Sequence, residues 1–432
     1  MSPLSNQDAM TLQLRTDRVL IRARAHSTRY FTARIVAPAA PHRMERLPLN
    51  VAFVLDRSGS MSDARKFDLA REAVQQALGT LRETDRFSLV VYDNVIDVLT
   101  PSTSATSSAR AQALAALATI TPRASTNLTG GWLHGCGEVA AHLDRKSVSR
   151  CLLLTDGLAN SGITNHSEIA CHARELRQRG VITSTIGVGA DFDERLLRDM
   201  AHEGGGNFYF VEGASQIPEI LTSELGEAAE VTVRNAVLSV EVPRGAEVEL
   251  LNRFRSRTSA DARTLTVELG DLVSEQVLTA VFRVTFPAGE VGDSASARIA
   301  LSHRHAAPRA EAGELVWRFA SHAENDAQSR DRAVNREVAA IFAARARAEA
   351  TEANRAGDFL TARHVLERTA QHIASYANGD AELIQMVEAV RDAVPEYARA
   401  SMSAERLKAS FFSAESALKS REPAGHARRT DR

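Results

Sequence analysis

Rings are scarce in this chain. Phe, Tyr and Trp together make up 5% of its 432 residues, so most of the packing has to be aliphatic. Cysteine is scarcer, with three: Cys136, Cys151 and Cys171. Their spacing makes no CxxC metal pattern and their number is odd, which reads as buried free thiols in a reducing compartment. An excess of either charge is lacking too. Lys and Arg number 52 against 54 Asp and Glu, a net charge of −2 that gives no footprint for nucleic acid or an anionic membrane. There is no run of about 18 apolar residues, so no transmembrane helix is expected. The opening MSPLSNQDAMTLQLRTDR lacks a basic stretch followed by an apolar one, the order of a signal peptide. With the free thiols, this makes the cytoplasm the expected compartment.

What remains is ordinary for a globular protein, 44% hydrophobic and 25% charged, at a length that calls for two to four domains. Residues 1–47 carry two loosely alternating runs, TLQLRTDRVLIRARA and RYFTARIVA, read as two strands. From 48 to 226, short apolar runs alternate with helical patterns: NVAFVLD, FDLAREAVQQALGTL, RFSLVVYD, ARAQALAALATI, LTGGWLHGCGEVAAHL, SRCLLLTDG, EIACHARELRQRG, VITSTIGVG, DERLLRDMAHEGGG, NFYFVE and SQIPEILTSELGEAA. That alternation predicts an α/β fold, a doubly wound, mostly parallel sheet with helices on both faces. Residues 227–320 hold strands at short intervals and read as a β-sandwich. The N-terminal strands are expected to join it, since alone they would leave open edges, which makes the α/β domain an insertion. Residues 321–420 read as helical, with RAGDF turning between two helices and Leu360, Val365 and Leu366 as core positions. The basic end, 421–432, reads as disordered.

The stretch LDRSGSM, residues 55–61, follows the strand NVAFV and alternates Asp56, Ser58 and Ser60. A phosphate loop would need GxxxxGK[ST], and an acid at its start repels phosphate. A nucleophile elbow would read GxSxG and need a histidine partner, yet His134, His142, His166, His172 and His202 sit in no suggestive context. An aspartyl phosphotransferase would want a second acid where Ser58 stands. His202 and Glu203 do not complete HExxH. A hard cation fits better, because Mg²⁺, Mn²⁺ and Ca²⁺ prefer oxygen ligands and strand-end loops of α/β sheets converge on one crevice. Two further loops add oxygens: ASTNLTGG with Thr126 and LLLTDG with Asp156.

FVLDRSGSM, STNLTGG and LLLTDG, in that order, resemble the three segments of the metal-ion-dependent adhesion site of a von Willebrand factor type A domain. The resemblance covers roughly residues 48–226. It implies that Ser58, Ser60 and Thr126 offer hydroxyls to the metal and that Asp56 and Asp156 act directly or through water. Arg57 is a spacer in the motif, expected to be solvated. The layout that follows, with LGDLVSEQVLTAVFRVTF in a β domain and then a helical tail, also resembles bacterial proteins related to inter-alpha-trypsin inhibitor heavy chains.

The resemblance implies a binding module and not an enzyme. A divalent cation, Mg²⁺ first and Mn²⁺ or Ca²⁺ as alternatives, keeps one position open for an Asp or Glu of a protein partner. Two other readings stand beside it: a scaffold that binds through its β and helical domains without the metal, and a metal-dependent hydrolase using the same oxygens.

Overall fold

Apolar runs with no polar interruption become strands buried on both faces. The computed structural model describes residues 10–40, 46–123, 125–144, 146–303, 311–400 and 402–430. The chain divides into two compact units, Met1–His42 with Val231–Arg432 and Arg43–Glu230 between them.

The first unit begins with β1 (Thr11–Thr16), β2 (Leu20–Arg22) and β3 (Ser27–Val36). Two strands are expected here from sequence, and three form. The first run breaks after Thr16, where the buried Asp17 carboxylate accepts the Tyr30 N–H at 2.9 Å.

The second unit follows: β4 (Leu49–Asp56), a 3₁₀ turn (Gly59–Arg65), α1 (Lys66–Thr80), β5 (Arg86–Tyr92), β6 (Ile96–Ser104), α2 (Ser107–Ala118), α3 (Leu128–Ala140), β7 (Val148–Thr155), α4 (His166–Arg179), β8 (Ile182–Val188), α5 (Glu194–Gly204), β9 (Gly205–Val211) and α6 (Ile217–Ala229). Its sheet has the order β6-β5-β4-β7-β8-β9. All neighbours are parallel except β5 and β6. Every residue of β4 and β7 is buried, as strands covered on both faces require. The strand absent from the sequence reading is β6. Its sequence, IDVLTPSTS, is polar and contains Pro101, which a sheet accepts at an edge, where β6 lies.

The chain runs outward from β4 to β5 on one side and later to β7 on the other. The sheet therefore changes direction between β4 and β7, and the crevice beyond their C-terminal ends is where open α/β sheets bind ligands. Helix α3 sits close over these strands because it lacks side chains where it touches them. A Cβ on Gly131 would lie 2.3 Å from the Tyr92 ring and one on Gly135 2.2 Å from Val54. Asn127 caps α3, its Oδ1 accepting the Gly130 N–H at 3.0 Å. The loop just before this cap carries Thr126. Cys136 and Cys151 are buried, but Cys171 is exposed, a correction to the reading of all three as buried: it stands on the solvent side of α4.

On its return the first unit adds β10 (Val231–Glu241), β11 (Glu247–Leu250), β12 (Arg255–Thr258), β13 (Thr264–Val273), β14 (Val277–Phe286), β15 (Ser294–Ser302) and β16 (Glu311–Ala320). They form two sheets with β1 to β3, in the orders β1-β3-β14-β11 and β12-β13-β10-β15-β16-β2. The shared core holds Phe31 stacked on Phe282 at 4.7 Å and Trp317 at 5.0 Å from Phe286. Five helices follow: α7 (His322–Ala327), α8 (Arg332–Arg355), α9 (Phe359–Ala377), α10 (Ala381–Tyr397) and α11 (Ala404–Leu418). Val334, Val338 and Ile341 of α8 pack with Leu251, Val281 and Leu418. Residues 227–320 and 321–420, read from sequence as separate domains, thus fall from Val231 onward in one unit.

Two expectations fail in this unit. Val365 and Leu366 are buried, but Leu360 is 79% exposed, because it stands in the first turn of α9, off the stripe that Ala362, Val365 and Leu366 bury. Residues 421–430 are also ordered. The Val277 N–H donates to the Arg428 carbonyl at 2.8 Å, and bridges join Arg421 to Ala427 and Gln276 to Arg429, so these residues satisfy backbone groups at the start of β14. Residues 431–432 lie outside the described residues.

Candidate metal centre

Asp56 is the last residue of β4, and Asp156 directly follows β7. Because these strands are adjacent and parallel, their ends bring two carboxylates into the crevice from positions far apart in the chain. Both are fully buried, Ser58 and Thr126 nearly so, and Ser60 partly. The Ser58 N–H donates to Asp56 Oδ1 at 2.8 Å, which turns the loop back on the carboxylate. The Ser58 and Ser60 hydroxyls lie 3.2 Å apart, and Ser60 donates to Asp156 Oδ1 at 2.6 Å. Thr126 comes close to the Asp56 carboxylate. A Cβ on Gly157 would lie 3.4 Å from Thr126 Oγ1 and 3.9 Å from Asp56 Oδ2, so the absent side chain leaves these oxygens a common space. The Thr126 N–H donates to Asn160 Oδ1 at 3.1 Å, which anchors the Thr126 loop to the loop after β7. All five residues singled out from sequence therefore meet in one crevice.

The donor chemistry fits a hard divalent cation: three hydroxyls, two carboxylates, and no imidazole or thiolate. The charge of the site fits as well. Burial pushes the Asp56 carboxyl up to about 6, against hydrogen bonds from Thr155 and Ser58 that lower it, and the nearby Asp156 raises it further. Positive charge is already drawn to the site, since the Lys66 ammonium lies 2.6 Å from Asp156 Oδ2.

Three contributions are not read from the motifs. Thr155 donates to Asp56 Oδ2 at 2.6 Å, and its oxygen accepts the Gly157 N–H at 3.2 Å. Lys66 pairs with Asp156 from the first turn of α1. Arg57, expected to be solvated, is 3% exposed. Its Nε lies 3.0 Å from Asp93 Oδ2, one terminal nitrogen lies 2.5 Å from Asp97 Oδ2, and Arg123 shares Asp93 at 2.7 Å. Burial raises the Asp93 carboxyl, but the Val95 N–H and the two guanidiniums outweigh it and hold it below the usual range. The Arg57 N–H also donates to the Tyr92 carbonyl, and its own carbonyl accepts the Arg123 N–H, both at 2.8 Å. Arg57 thereby clamps the loop after β4 to the one after β5 and to the approach to α3. The partners Asp93 and Asp97 lie 36 and 40 positions along the chain, and only the fold reveals them.

The family model of the von Willebrand factor type A domain matches residues 50–223. Escherichia coli YfbK is 28% identical over 205 residues, which cover 47% of this chain and 35% of that protein. Human inter-alpha-trypsin inhibitor heavy chain H4 is 33% identical over 175 residues, 39% of this chain and 18% of that one. The match thus spans about a third or less of the length of these curated relatives. A structure of a von Willebrand factor type A protein from Catenulispora acidiphila superposes with a TM-score of 0.71 at 18% identity, over 94% of this chain and 96% of that one. That likeness is one of fold, and it extends through the strands and helices of the first unit. On these grounds residues 50–223 are a von Willebrand factor type A domain.

Proposed function

We propose that this chain is a protein-binding module whose affinity depends on a divalent cation, Mg²⁺ foremost with Mn²⁺ or Ca²⁺ as substitutes, held by Asp56, Ser58, Ser60, Thr126 and Asp156. The observation that carries the reading is the gathering of oxygens, in which Ser58, Ser60 and Asp156 stand in hydrogen-bond contact and Thr126 Oγ1 and Asp56 Oδ2 both lie within 4 Å of the space a Cβ on Gly157 would take. Hydroxyl donors leave a dication only partly neutralised, so it would supply a strong electrostatic bond to a carboxylate. The protein's own residues orient and enclose. Thr155 and the Ser58 N–H fix Asp56, Ser60 fixes Asp156, and Arg57 holds the loops around them.

The partner in this reading is a protein that presents an Asp or Glu side chain. The chain acts as an interaction or scaffold protein and not as a catalyst. Among the described residues no helix is long and apolar enough to cross a membrane. The buried free thiols Cys136 and Cys151 suit a reducing, cytoplasmic setting.

The test has two arms. Purified protein should take up Mn²⁺ in a paramagnetic resonance titration, and Asp56→Ala should not. A partner captured from the native host should be released by EDTA and be missed by Asp56→Ala. Capture indifferent to both would favour the metal-independent scaffold, and phosphoester or peptide turnover abolished by Asp156→Ala would favour the hydrolase.

A further inference from the structure

We propose that Lys66 is a tethered counter-ion of this site: its ammonium holds Asp156 while no dication is bound and gives up the carboxylate when one arrives, and so sets the cation affinity. This inference rests on the reading of the crevice as a cation site. Both oxygens of Asp156 are engaged, Oδ1 by the Ser60 hydroxyl at 2.6 Å and Oδ2 by Lys66 Nζ at 2.6 Å. The ammonium is enclosed. The Lys66 side chain is 13% exposed, and its Cε and Nζ would both lie 3.6 Å from a Cβ on Gly189, at the turn after β8.

Its position in the chain is unfavourable by local rules. Lys66 is the first residue of α1, at the positive end of the helix dipole, which disfavours a cation. Arg65 before it is held at a φ of 58°, a left-handed conformation that a non-glycine residue adopts at a cost. Both penalties bring one ammonium to one buried carboxylate, and the two neighbouring carboxylates explain the need. Asp56 and Asp156 are fully buried, and without Lys66 or a metal their negative charges would face each other unpaired. The same ammonium repels an arriving dication over the same few ångströms.

The test compares the wild type with Lys66→Met, which keeps an unbranched side chain one atom shorter and removes its charge. Mn²⁺ affinity is read by titration of the free-ion resonance signal, and stability by thermal melting in EDTA and in saturating Mn²⁺. Lys66→Met should bind Mn²⁺ about tenfold or more tightly than wild type. It should melt below wild type in EDTA and close that gap in Mn²⁺. Lys66→Arg, which keeps the charge, should bind nearly as wild type does. Lys66→Gln carries the same comparison if the Met variant does not fold. Unchanged or weaker Mn²⁺ binding in Lys66→Met, with binding still lost in Asp56→Ala, overturns the counter-ion role and leaves the cation site standing. No Mn²⁺ binding in wild type or in the uncharged variants overturns both.

Discussion

Thr155 donates its hydroxyl hydrogen to Oδ2 of Asp56 at 2.6 Å, tying the end of β7 to the end of β4. Both residues are fully buried, so no water can replace that donor. Thr155→Val keeps the shape and removes the hydrogen bond. It should destabilise the protein by about 1–3 kcal/mol in urea titrations. Mn²⁺ binding should weaken as well, because Asp56 loses the contact that fixes its rotamer. A variant as stable as wild type would show that the backbone alone orients Asp56.

Arg57 is the second test of how the site is held. Removing its guanidinium leaves Asp93 buried with Arg123 as its remaining partner. Breaking a buried pair costs about 3–5 kcal/mol, and Arg57→Met should fall near the lower end of that range because Arg123 stays. Arg57→Lys should recover only part of the loss, since an ammonium cannot reach Asp93 and Asp97 as the fork does. A loss under about 0.5 kcal/mol, the range of exposed substitutions, would return Arg57 to the role of a solvated spacer.

Asp85 gives the unit that carries the site a pH dependence. Burial raises its carboxyl, but the Arg46 guanidinium and the N–H groups of Leu49 and Arg82 outweigh burial and hold it below the ordinary range. Arg46 meets it through two nitrogens, at 2.9 and 2.5 Å. A carboxyl with a depressed folded-state pKa adds stability that is present above its unfolded value of about 3.9 and is lost as pH falls through the folded value. Asp85→Asn should therefore be less stable than wild type at pH 7, by about 1.5–3 kcal/mol. The difference should shrink below about pH 4. An equal difference at pH 7 and pH 3, by chemical denaturation, would exclude this origin.

The helical region offers a paired control. Leu366 is fully buried in the cluster formed by α8, α9 and α10, and Leu366→Ala should cost about 2–5 kcal/mol. Leu360, six residues earlier on α9 and 79% exposed, should lose less than about 0.5 kcal/mol on the same change. Denaturant midpoints of the two variants decide it.

The α/β layout was legible because β4 and β7 are built on the apolar runs VAFVL and CLLL and because helices with apolar faces lie between strands. The five crevice residues were legible because LDRSGSM and LLLTDG place oxygens at two strand ends and STNLTGG adds Thr126 ahead of α3, in an order that resembles a known family site. What escaped has a physical pattern. Strand β6 is an edge strand, where neither strict alternation nor the exclusion of proline applies. Arg57 was misjudged because burial of a charge depends on partners supplied by a neighbouring strand end, which no local window contains. Lys66 stands 90 positions from Asp156, at a place where local electrostatics argue against a cation. Leu360 has the right chemistry for a core but the wrong face of its helix, and one helical turn is too short to show periodicity.

Strands β3 and β14 pair through ten residues, Ser27 to Val36 against Phe286 to Val277. Phe31 lies opposite Phe282, about 250 residues later in the chain, and closing so long a loop is entropically slow. As the polypeptide leaves the ribosome, β1 and β3 emerge with their hydrophobic faces unmet and stay so until β14 has been made. The inserted domain emerges whole in that interval and can fold first. Its completion would shorten the effective gap between the two halves of the sheet, so early folding of the inserted segment would lower the entropic cost of pairing β3 with β14.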